Sequence, residues 1–506
     1  MRVEIIVDPE ATREWHRALY LRLTERRRLS VRFRFESRGG ASVGPAMRLL
    51  FLLERLLYRI PAGHPADPAD LSAYPTAAPD DDAPDLVIDL VRAGGPENVP
   101  RLTLACCGSP IDIGATEAVL AHDAPVLSLD LHKNGEVRRV ARWRLALERS
   151  DVALTSLDAI FGRSINVIDV ALLRLGRGLP LGGAEHLSGR RVGDPADADG
   201  PIRFLAAELA FHARRWIDRH LRRATGWSVG WRTAIGESTD LPRFPEGRFR
   251  RIRTDGRRHL ATPFLCTHAG RTFAFVEEFP FATGRGLIAA CEFRDGRFSA
   301  PEPVLEADCH LSYPYVFAHA GHIWMVPDTS ARRSVEFWAA VEFPFRWERR
   351  YRIQNVDLSH VTVLEDAGRL YLIGSTRYGD GASDRDAIAV LTADRLEGPW
   401  RPVGGPGPVL VDASAARPAG RPFRYYDGLV RPAEDNRGGL AAGLSFVDIV
   451  TLSPEHYGQR TIGAFRPAQP HKGLSHYERD ERFELVCVNA PVQGRSIQLR
   501  PDFADT

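Results

Sequence analysis

The stretch Ser312-Tyr-Pro-Tyr-Val-Phe-Ala-His-Ala-Gly321-His-Ile-Trp-Met-Val-Pro-Asp328 decides the fold. A short aromatic run meets a small-residue turn at Gly321 and returns as a second apolar run. That is the pattern of two antiparallel strands joined by a tight turn. The pattern recurs. Thr262-Pro263-Phe264 precedes Gly270-Arg-Thr-Phe273-Ala-Phe-Val-Glu277, and in both units proline stands seven residues before glycine. A third unit keeps Gly368-Arg-Leu-Tyr371-Leu-Ile, with Val361 in the proline position. A looser fourth unit places Pro432 seven residues before Gly439. Spacings of 51 and 47 residues separate the first three units. Tandem repeats of this length, completed by strands such as Val335–Trp338 and Ala387–Leu391, predict four-stranded propeller blades. Trp347 and Trp400 close two of them. About 280 residues at roughly 50 per blade accommodate five blades and one long insertion, Arg401–Arg424. The ring is expected to close by pairing Trp227–Ile235 with Phe483–Val488. A β-sandwich fits less well, because the repeat is tandem and four-stranded.

Aromatic residues support the division of the chain. Of 45 Phe, Trp and Tyr residues in the 506-residue chain, residues 1–225 carry 12 and residues 226–506 carry 33. Aromatics favour half-buried strands. Basic and acidic residues nearly cancel, 67 against 65 for a net charge of +2, so no polyanionic partner is demanded and no nucleic-acid partner is expected. Lys133 and Lys472 are the only lysines. The arginine excess reads as codon usage more readily than as selection for bidentate anion binding. Six cysteines without a CxxC pair exclude a disulfide scaffold and a zinc ribbon. Residues 48–60 are apolar, but Arg48, Glu54, Arg55 and Arg59 interrupt them before the ~18 residues that a membrane span needs. They are expected to form an amphipathic helix packed on a sheet. With no secretory segment at Met1–Val7, the expected location is the cytoplasm and no integral membrane segment is expected.

Residues 1–200 read as an α/β domain. Val3–Val7, Val31–Phe35, Leu86–Leu90, Leu102–Cys106 and Val126–Leu129 are strand candidates, alternating with helical segments such as Met47–Ile60 and Leu157–Leu175. The order predicts a Rossmann-like layer. No GxGxxG follows the first strand and no P-loop occurs, so no cofactor is expected. A Gly/Pro/Asp-rich break spans Gly176–Gly200. Residues 201–225 read as a helical joint, and 226–506 as the five-bladed β-propeller.

The Pro84-Asp85-Leu-Val-Ile-Asp-Leu90 strand and the α/β order weakly resemble formyltransferase-like domains. That resemblance implies an Asn/His/Asp constellation, for which His132 and Asn134 lie near a strand end but in the wrong order, while Asn166 and Asp169 fall on a helical stretch; a transferase reading would need His132 and Asp130 at a crevice. A more specific resemblance lies in the second half. His310-Leu-Ser-Tyr-Pro-Tyr-Val-Phe317, Gly321–Ser330, Glu336-Phe-Trp, Phe343-Pro-Phe-Arg-Trp347, Arg431-Pro-Ala-Glu-Asp435 and Gly473-Leu-Ser-His476 are similar to the N-terminal domain of glucosamine inositolphosphorylceramide transferases and bacterial relatives. That domain in turn resembles the five-bladed propellers of arabinanase and xylosidase glycoside hydrolases. The glycosyltransferase activity of the plant proteins belongs to a separate domain, with no counterpart in this chain. The hydrolase resemblance implies an Ala-Asp-Pro-Phe motif whose Asp is the base. Here the motif reads Ala261-Thr262-Pro263-Phe264.

Glycoside hydrolysis needs two carboxyl groups. The catalytic candidates are Glu277 and Asp328, which hold equivalent places in two units and would serve as the acid, with Asp427 and Asp435 positioning or activating a nucleophile. Asp357 and Glu278 are further acids of the region. His310, His360 and His476 come from different blades and are candidates for sugar or sugar-phosphate binding. Their spacing supplies no HxH or HExxH motif, so no metal is assigned. Arg431 is the anion-binding candidate and Tyr313 a sugar-binding candidate. The expected partner is a glycan or a sugar-phosphate conjugate, and oligomeric state is not legible. The leading reading is a carbohydrate-related protein that binds or processes this ligand in a propeller funnel. The competing readings are a non-catalytic glycan-binding or scaffold module, favoured by Thr262, and a formyl- or other group transferase acting through the N-terminal domain.

Overall fold

In a computed structural model the chain forms two compact units, Met1–Trp216 with Tyr378–Ser383, and Ile217–Arg377 with Asp384–Thr506. The structure describes all residues except 38–43, 79–81, 95–97, 179–199, 222–224, 235–243, 380, 492–494 and 503–506. Most of the break expected at Gly176–Gly200 therefore lies outside the described residues, as do parts of the joint expected at 201–225.

The first unit carries a mixed sheet in the order Ser30–Phe35, Arg2–Val7, Leu86–Asp89, Arg101–Cys106, Val126–Lys133 and Glu136–Arg144. The first four strands run parallel. The last two are antiparallel, so the sheet is mixed where a Rossmann-like layer was expected. The reason is local. Asn134 and Gly135 adopt φ of 53° and 78°. Two consecutive positive φ values make a tight hairpin whose twist matches its strands. The strand from Val126 therefore turns straight back instead of crossing over through a helix.

The leucine-rich helix Pro45–Tyr58 also departs from expectation. It buries Met47, Leu50 and Glu54 but leaves Leu49, Leu52, Leu56 and Leu57 exposed. It packs on the helix Ala153–Gly176 rather than on the sheet. The Glu54 carboxylate accepts the Ala153 and Leu154 N–H groups at 2.6 and 2.8 Å. These are two of the donors that the start of a helix leaves without an intrahelical partner. Burial pushes Glu54 up to about 7, against the pull of those two hydrogen bonds. Among the described residues, no helix is long and apolar enough to cross a membrane.

The second unit is a five-bladed β-propeller. Blade one runs from Arg258–His268 through Arg271–Pro280 and Leu287–Arg294 to Arg297–Phe298, with Glu302–Leu305 alongside. Blade two is Ser312–His319, His322–Asp328, Ser334–Glu342 and Arg346–Gln354. Blade three begins Ser359–Asp366, Arg369–Ser375, Ala387–Ala393, and blade four is Phe423–Tyr425, Gly428–Asp435, Gly443–Leu452 and Tyr457–Phe465. Blade five joins both ends of the unit: Gly473–Arg479 pairs with Phe483–Pro491, which pairs with Thr225–Thr233, followed by Gly247–Arg251 and Ser496–Leu499. The closure is the one the sequence predicts, with one further edge strand.

In blades one to three the first hairpin turns on Ala269-Gly270, Ala320-Gly321 and Ala367-Gly368, where alanine sits at φ of 47–50° and glycine at 75–78°. The conserved geometry explains why the repeat is visible as a glycine register. Aromatics fill the spaces between blades; Trp231 packs edge-on against Phe293, Phe298 and Phe483.

Blade four corrects two expectations. Pro432 lies in the second strand, whereas Pro263 and Pro314 lie in the first, so the fourth unit is out of phase with the others. The segment expected as an insertion, Arg401–Arg424, is not an excursion. Its residues Ala413–Ala416 and Pro418–Gly420 are buried. Pro418 bridges Ala433, and the Glu434 N–H donates to the Arg417 carbonyl. This segment supplies most of the inner edge of blade four. Gly420 is required there: a Cβ would come within 1.9 Å of the Tyr477 carbonyl oxygen.

Candidate functional site at the bulged ends of the inner strands

Each of the first three inner strands is interrupted near its start. The register slips between Ala261 and Phe264, between Ser312 and Tyr315, and between Ser359 and Thr362. The displaced residues Thr262, Tyr313 and His360 have φ of 43°, 47° and 50°. Left-handed backbone at a non-glycine residue costs on the order of 1–3 kcal/mol and is concentrated at functional positions. Extra residues of this kind re-aim side chains at the rim of a sheet. Arg417 holds the corresponding place in blade four, immediately before Pro418, and blade five slips between Leu474 and His476.

These positions are wired from blade to blade. The Tyr313 N–H donates to the Thr262 hydroxyl at 3.1 Å, and the His360 N–H donates to the Asp328 carboxylate at 3.0 Å. The second Asp328 oxygen accepts the Ser330 N–H at 2.9 Å. Arg417 donates to His360 Nε2 at 2.9 Å. A guanidinium only donates, so Nε2 accepts and the imidazole proton sits on Nδ1, which lies 3.2 Å from the Pro418 carbonyl. The same guanidinium pairs with Asp384 at 2.7 Å and Glu434 at 3.3 Å. Arg377, half exposed, also reaches Asp384 at 3.4 Å.

The electrostatics follow. Burial, reinforced by Arg417, drives His360 well below the ordinary imidazole value, so it is neutral. Burial works to raise Asp384, but Arg417 and Arg377 outweigh it and hold the carboxyl at about 2. Burial raises Glu434, with Arg417 opposing. At the outer edge, His310 lies 3.4 Å from Glu277, which raises the imidazole against its burial.

The expected site residues separate accordingly. Glu277, His310, Asp328 and His360 gather at this end of the propeller. Tyr313 and His476 belong beneath it and are fully buried, which corrects their assignment as ligand contacts. The Tyr313 ring stacks on His360 at 4.4 Å, and its hydroxyl accepts the Gly420 N–H at 3.2 Å. His476 lies edge-on to Phe264 at 4.7 Å. Three other assignments are overturned. Arg431 is buried, 2% exposed, and its guanidinium is turned onto the Ala415 and Ala416 carbonyls and Gln459, away from any ligand at the inner-strand ends. Asp435 is fully buried between Arg437 and Arg466, a structural ion pair. Asp427 is exposed in the turn that joins the first two strands of blade four, at the opposite end of its inner strand. In the first unit, Asp130 is held by both arms of Arg139 along the hairpin, at 2.7 and 3.0 Å. Among the described residues, no group of three or more His, Cys, Asp or Glu side chains has the geometry to hold a metal ion.

Arg417, Asp384 and Glu434 are the residues of this candidate site that pattern reading misses. Their signal was the pair Arg417-Pro418, which repeats Thr262-Pro263 and Tyr313-Pro314 within the segment taken for an insertion.

His476 has a measurable consequence. Burial lowers it from an ordinary 6.5 to about 3, the Pro263 carbonyl opposing. Between those pH values the unfolded chain binds a proton that the folded one excludes, so stability falls as pH drops below 6.5. At pH 5 the loss is about 2 kcal/mol. Between pH 7 and pH 5 Asp384 stays ionised and its contribution is intact. Urea unfolding at pH 7 and pH 5 is expected to show the loss, and His476→Phe to shrink it by about that amount, with buried His360 retaining its own share; an undiminished pH dependence in the variant would count against this assignment.

Fold and site together define a five-bladed propeller whose inner-strand ends carry a wired polar cluster. Residues 254–489 match the family described as glucosamine inositolphosphorylceramide transferase 1, N-terminal. Among curated relatives, the chain is 29% identical over 203 residues to glucosamine inositolphosphorylceramide transferase 1 of Arabidopsis thaliana, covering 39% of this chain and 26% of that protein. The Oryza sativa subsp. indica protein of the same name is 25% identical over 201 residues, covering 39% and 27%. The chain thus spans about a quarter of the length of these relatives. Solved structures similar to it include a thermostable family-43 glycoside hydrolase (TM-score 0.28, 12% identity, 55% of this chain and 97% of that one). Another is a xylose-bound glycoside hydrolase from Xanthomonas citri (TM-score 0.33, 14% identity, 49% and 95%).

Proposed function

We propose that the propeller recognises a glycan or sugar-phosphate conjugate at the bulged ends of its inner strands, as a binding module rather than a hydrolase. The observation that carries this reading is the engagement of the groups that hydrolysis would need. Thr262 stands where a base would be required, and its hydroxyl accepts the Tyr313 N–H. Both oxygens of Asp328 accept backbone hydrogen bonds. A glycosidase needs one carboxyl free to give a proton and another free to act on water or the sugar. Glu277 faces His310, and Asp384 and Glu434 are tied to Arg417, so these acids do not make that free pair. What the site does offer is a fixed array of donors and acceptors at its edge: Glu277, His310, Arg377 and Asp384. The sequence match over 254–489 supports a carbohydrate-related ligand.

The full chain, tested on a glycan array and on 4-nitrophenyl glycosides, is expected to bind a restricted set of glycans and turn over none of the glycosides. Arg377→Gln and Glu277→Gln are each expected to weaken binding about 10-fold, the effect of a lost charge-assisted hydrogen bond. Saturable turnover abolished by Asp328→Asn would replace the module with an enzyme. Failure to bind any glycan would remove the reading altogether.

A further inference from the structure

A second site lies away from the inner strands. The third and fourth strands of blade five, the Asp295-Gly296 turn of blade one and Arg495-Ser496 enclose a cleft of about 630 Å³. Seven arginines line it. Arg232 pairs with Glu484, and Arg251 donates to the Ser228 hydroxyl and the Pro491 carbonyl. The other five, Arg248, Arg250, Arg253, Arg297 and Arg495, are exposed, and none of these five has a carboxylate partner among the described residues. Of these five, Arg250 alone is steadied, over the face of Trp231 at 5.4 Å and against the Gly296 carbonyl at 3.4 Å. Among the described residues, Asp295 is the only acid in the lining.

This is unusual within the same propeller. The strand Arg346–Gln354 is equally rich in arginine, but there Arg349 and Arg352 share Glu336, and Arg350 pairs with Glu348. Five like charges around one concavity repel each other and raise the local potential, and a concave wall concentrates that field. An anion entering the cleft relieves the repulsion. The guanidinium fork matches the oxygens of phosphate two at a time. Five such forks exceed what a single carboxylate can satisfy.

We propose that this cleft binds a multiply charged phosphate group, carried either by a soluble polyphosphorylated molecule or by a lipid headgroup. The inference is independent of the glycan reading of the inner-strand site.

The probes are tripolyphosphate, followed by calorimetry on the full chain, and phosphatidylcholine vesicles with and without phosphatidic acid, followed by co-sedimentation. Both are run at about 150 mM NaCl, where loosely held exposed charges are screened. Saturable binding of at least one probe is expected. The triple variant Arg248→Gln, Arg297→Gln, Arg495→Gln is expected to weaken it about 10-fold or more. A control that removes the same charge from the paired strand, Arg346→Gln, Arg349→Gln, Arg350→Gln, is expected to leave it within about 2-fold. Asp295→Asn, which removes the one repelling group, is expected to tighten it. Cleft-dependent sedimentation assigns the phosphate to a lipid; cleft-dependent binding of tripolyphosphate alone assigns it to a soluble molecule. Absence of binding to both probes, or equal weakening by the cleft and control variants, overturns the proposal. Thermal melts of the variants, all at exposed positions, report whether each remains folded.

Discussion

Arg421→Ala is expected to lower the stability of the propeller by about 3–5 kcal/mol. The magnitude comes from what the side chain leaves behind. Glu478 is fully buried, and its oxygens accept the Leu265 N–H at 3.2 Å, the Arg421 N–H at 3.1 Å and the Arg421 Nε at 3.0 Å. Arg421 also donates to the Leu265 and Val316 carbonyls and lies 4.9 Å from the Tyr315 ring centroid. One guanidinium therefore ties blade one, blade two and blade five to the inner segment of blade four. Burial already raises Glu478, and Arg421 is the main group opposing it. Without that cation the carboxyl must either stay charged in an apolar surrounding or take up a proton.

For a unit of this size the expected loss corresponds to roughly 6–20 °C in Tm. Arg421→Lys keeps the charge but not the fork, so it should fall between wild type and alanine. The combination Arg421→Met with Glu478→Leu removes both charges and is expected to be more stable than Arg421→Ala alone, since the penalty lies in the unpaired ion. A melting shift under about 2 °C for Arg421→Ala would show that the pair is not what holds the blades together.

The two arginines also show where sequence reading stops. The first three blades are legible because each must make the same tight turn, and Ala-Gly at positive φ leaves a fixed mark beside alternating aromatics. Blade closure is legible because the two unpaired ends of the repeat must find each other. The inner edge of blade four is not, since it is built mostly from irregular backbone and a three-residue strand, Phe423–Tyr425. Irregular buried backbone has no period, and its Pro, Gly and Ala content matches that of an exposed loop. Arg417 and Arg421 were hidden there. Their partners were hidden for a different reason: Glu434 and Glu478 look like any strand acids until a cation from that irregular segment reaches them. Asp435 and Arg431 carried the same pattern and proved structural. The reversal of the N-terminal sheet, by contrast, was marked by Asn134-Gly135, a dipeptide suited to a hairpin.

Arg417→Met is expected to have an effect of similar size, about 3–5 kcal/mol at neutral pH, but with a different pH signature. Three groups lose a partner at once: Asp384, which keeps only the more distant Arg377, Glu434 and His360 Nε2. Asp384, now held at about 2, should rise towards the ordinary carboxyl range when its strongest opposing charge is removed. His360 should rise too, because Arg417 adds to the burial that keeps it neutral. A carboxyl with a depressed folded value stabilises the native state above its unfolded value of about 3.9, and that contribution is lost as pH falls through the folded value. In wild type the Asp384 contribution therefore disappears between about pH 4 and pH 2. In the variant there is little left to lose. The stability gap between the two proteins should narrow as pH falls across that window, and Glu434, already raised by burial, should begin the narrowing at higher pH. Urea unfolding of wild type and Arg417→Met at pH 7, 4 and 3 measures the gap directly. A gap that stays constant with pH would mean that Arg417 acts by packing alone. Arg417→Lys provides the complementary reading: a retained charge keeps Asp384 low, while the lost fork frees His360 Nε2, so the pH dependence should resemble wild type even as the geometry of the inner-strand site, and with it glycan binding, is lost.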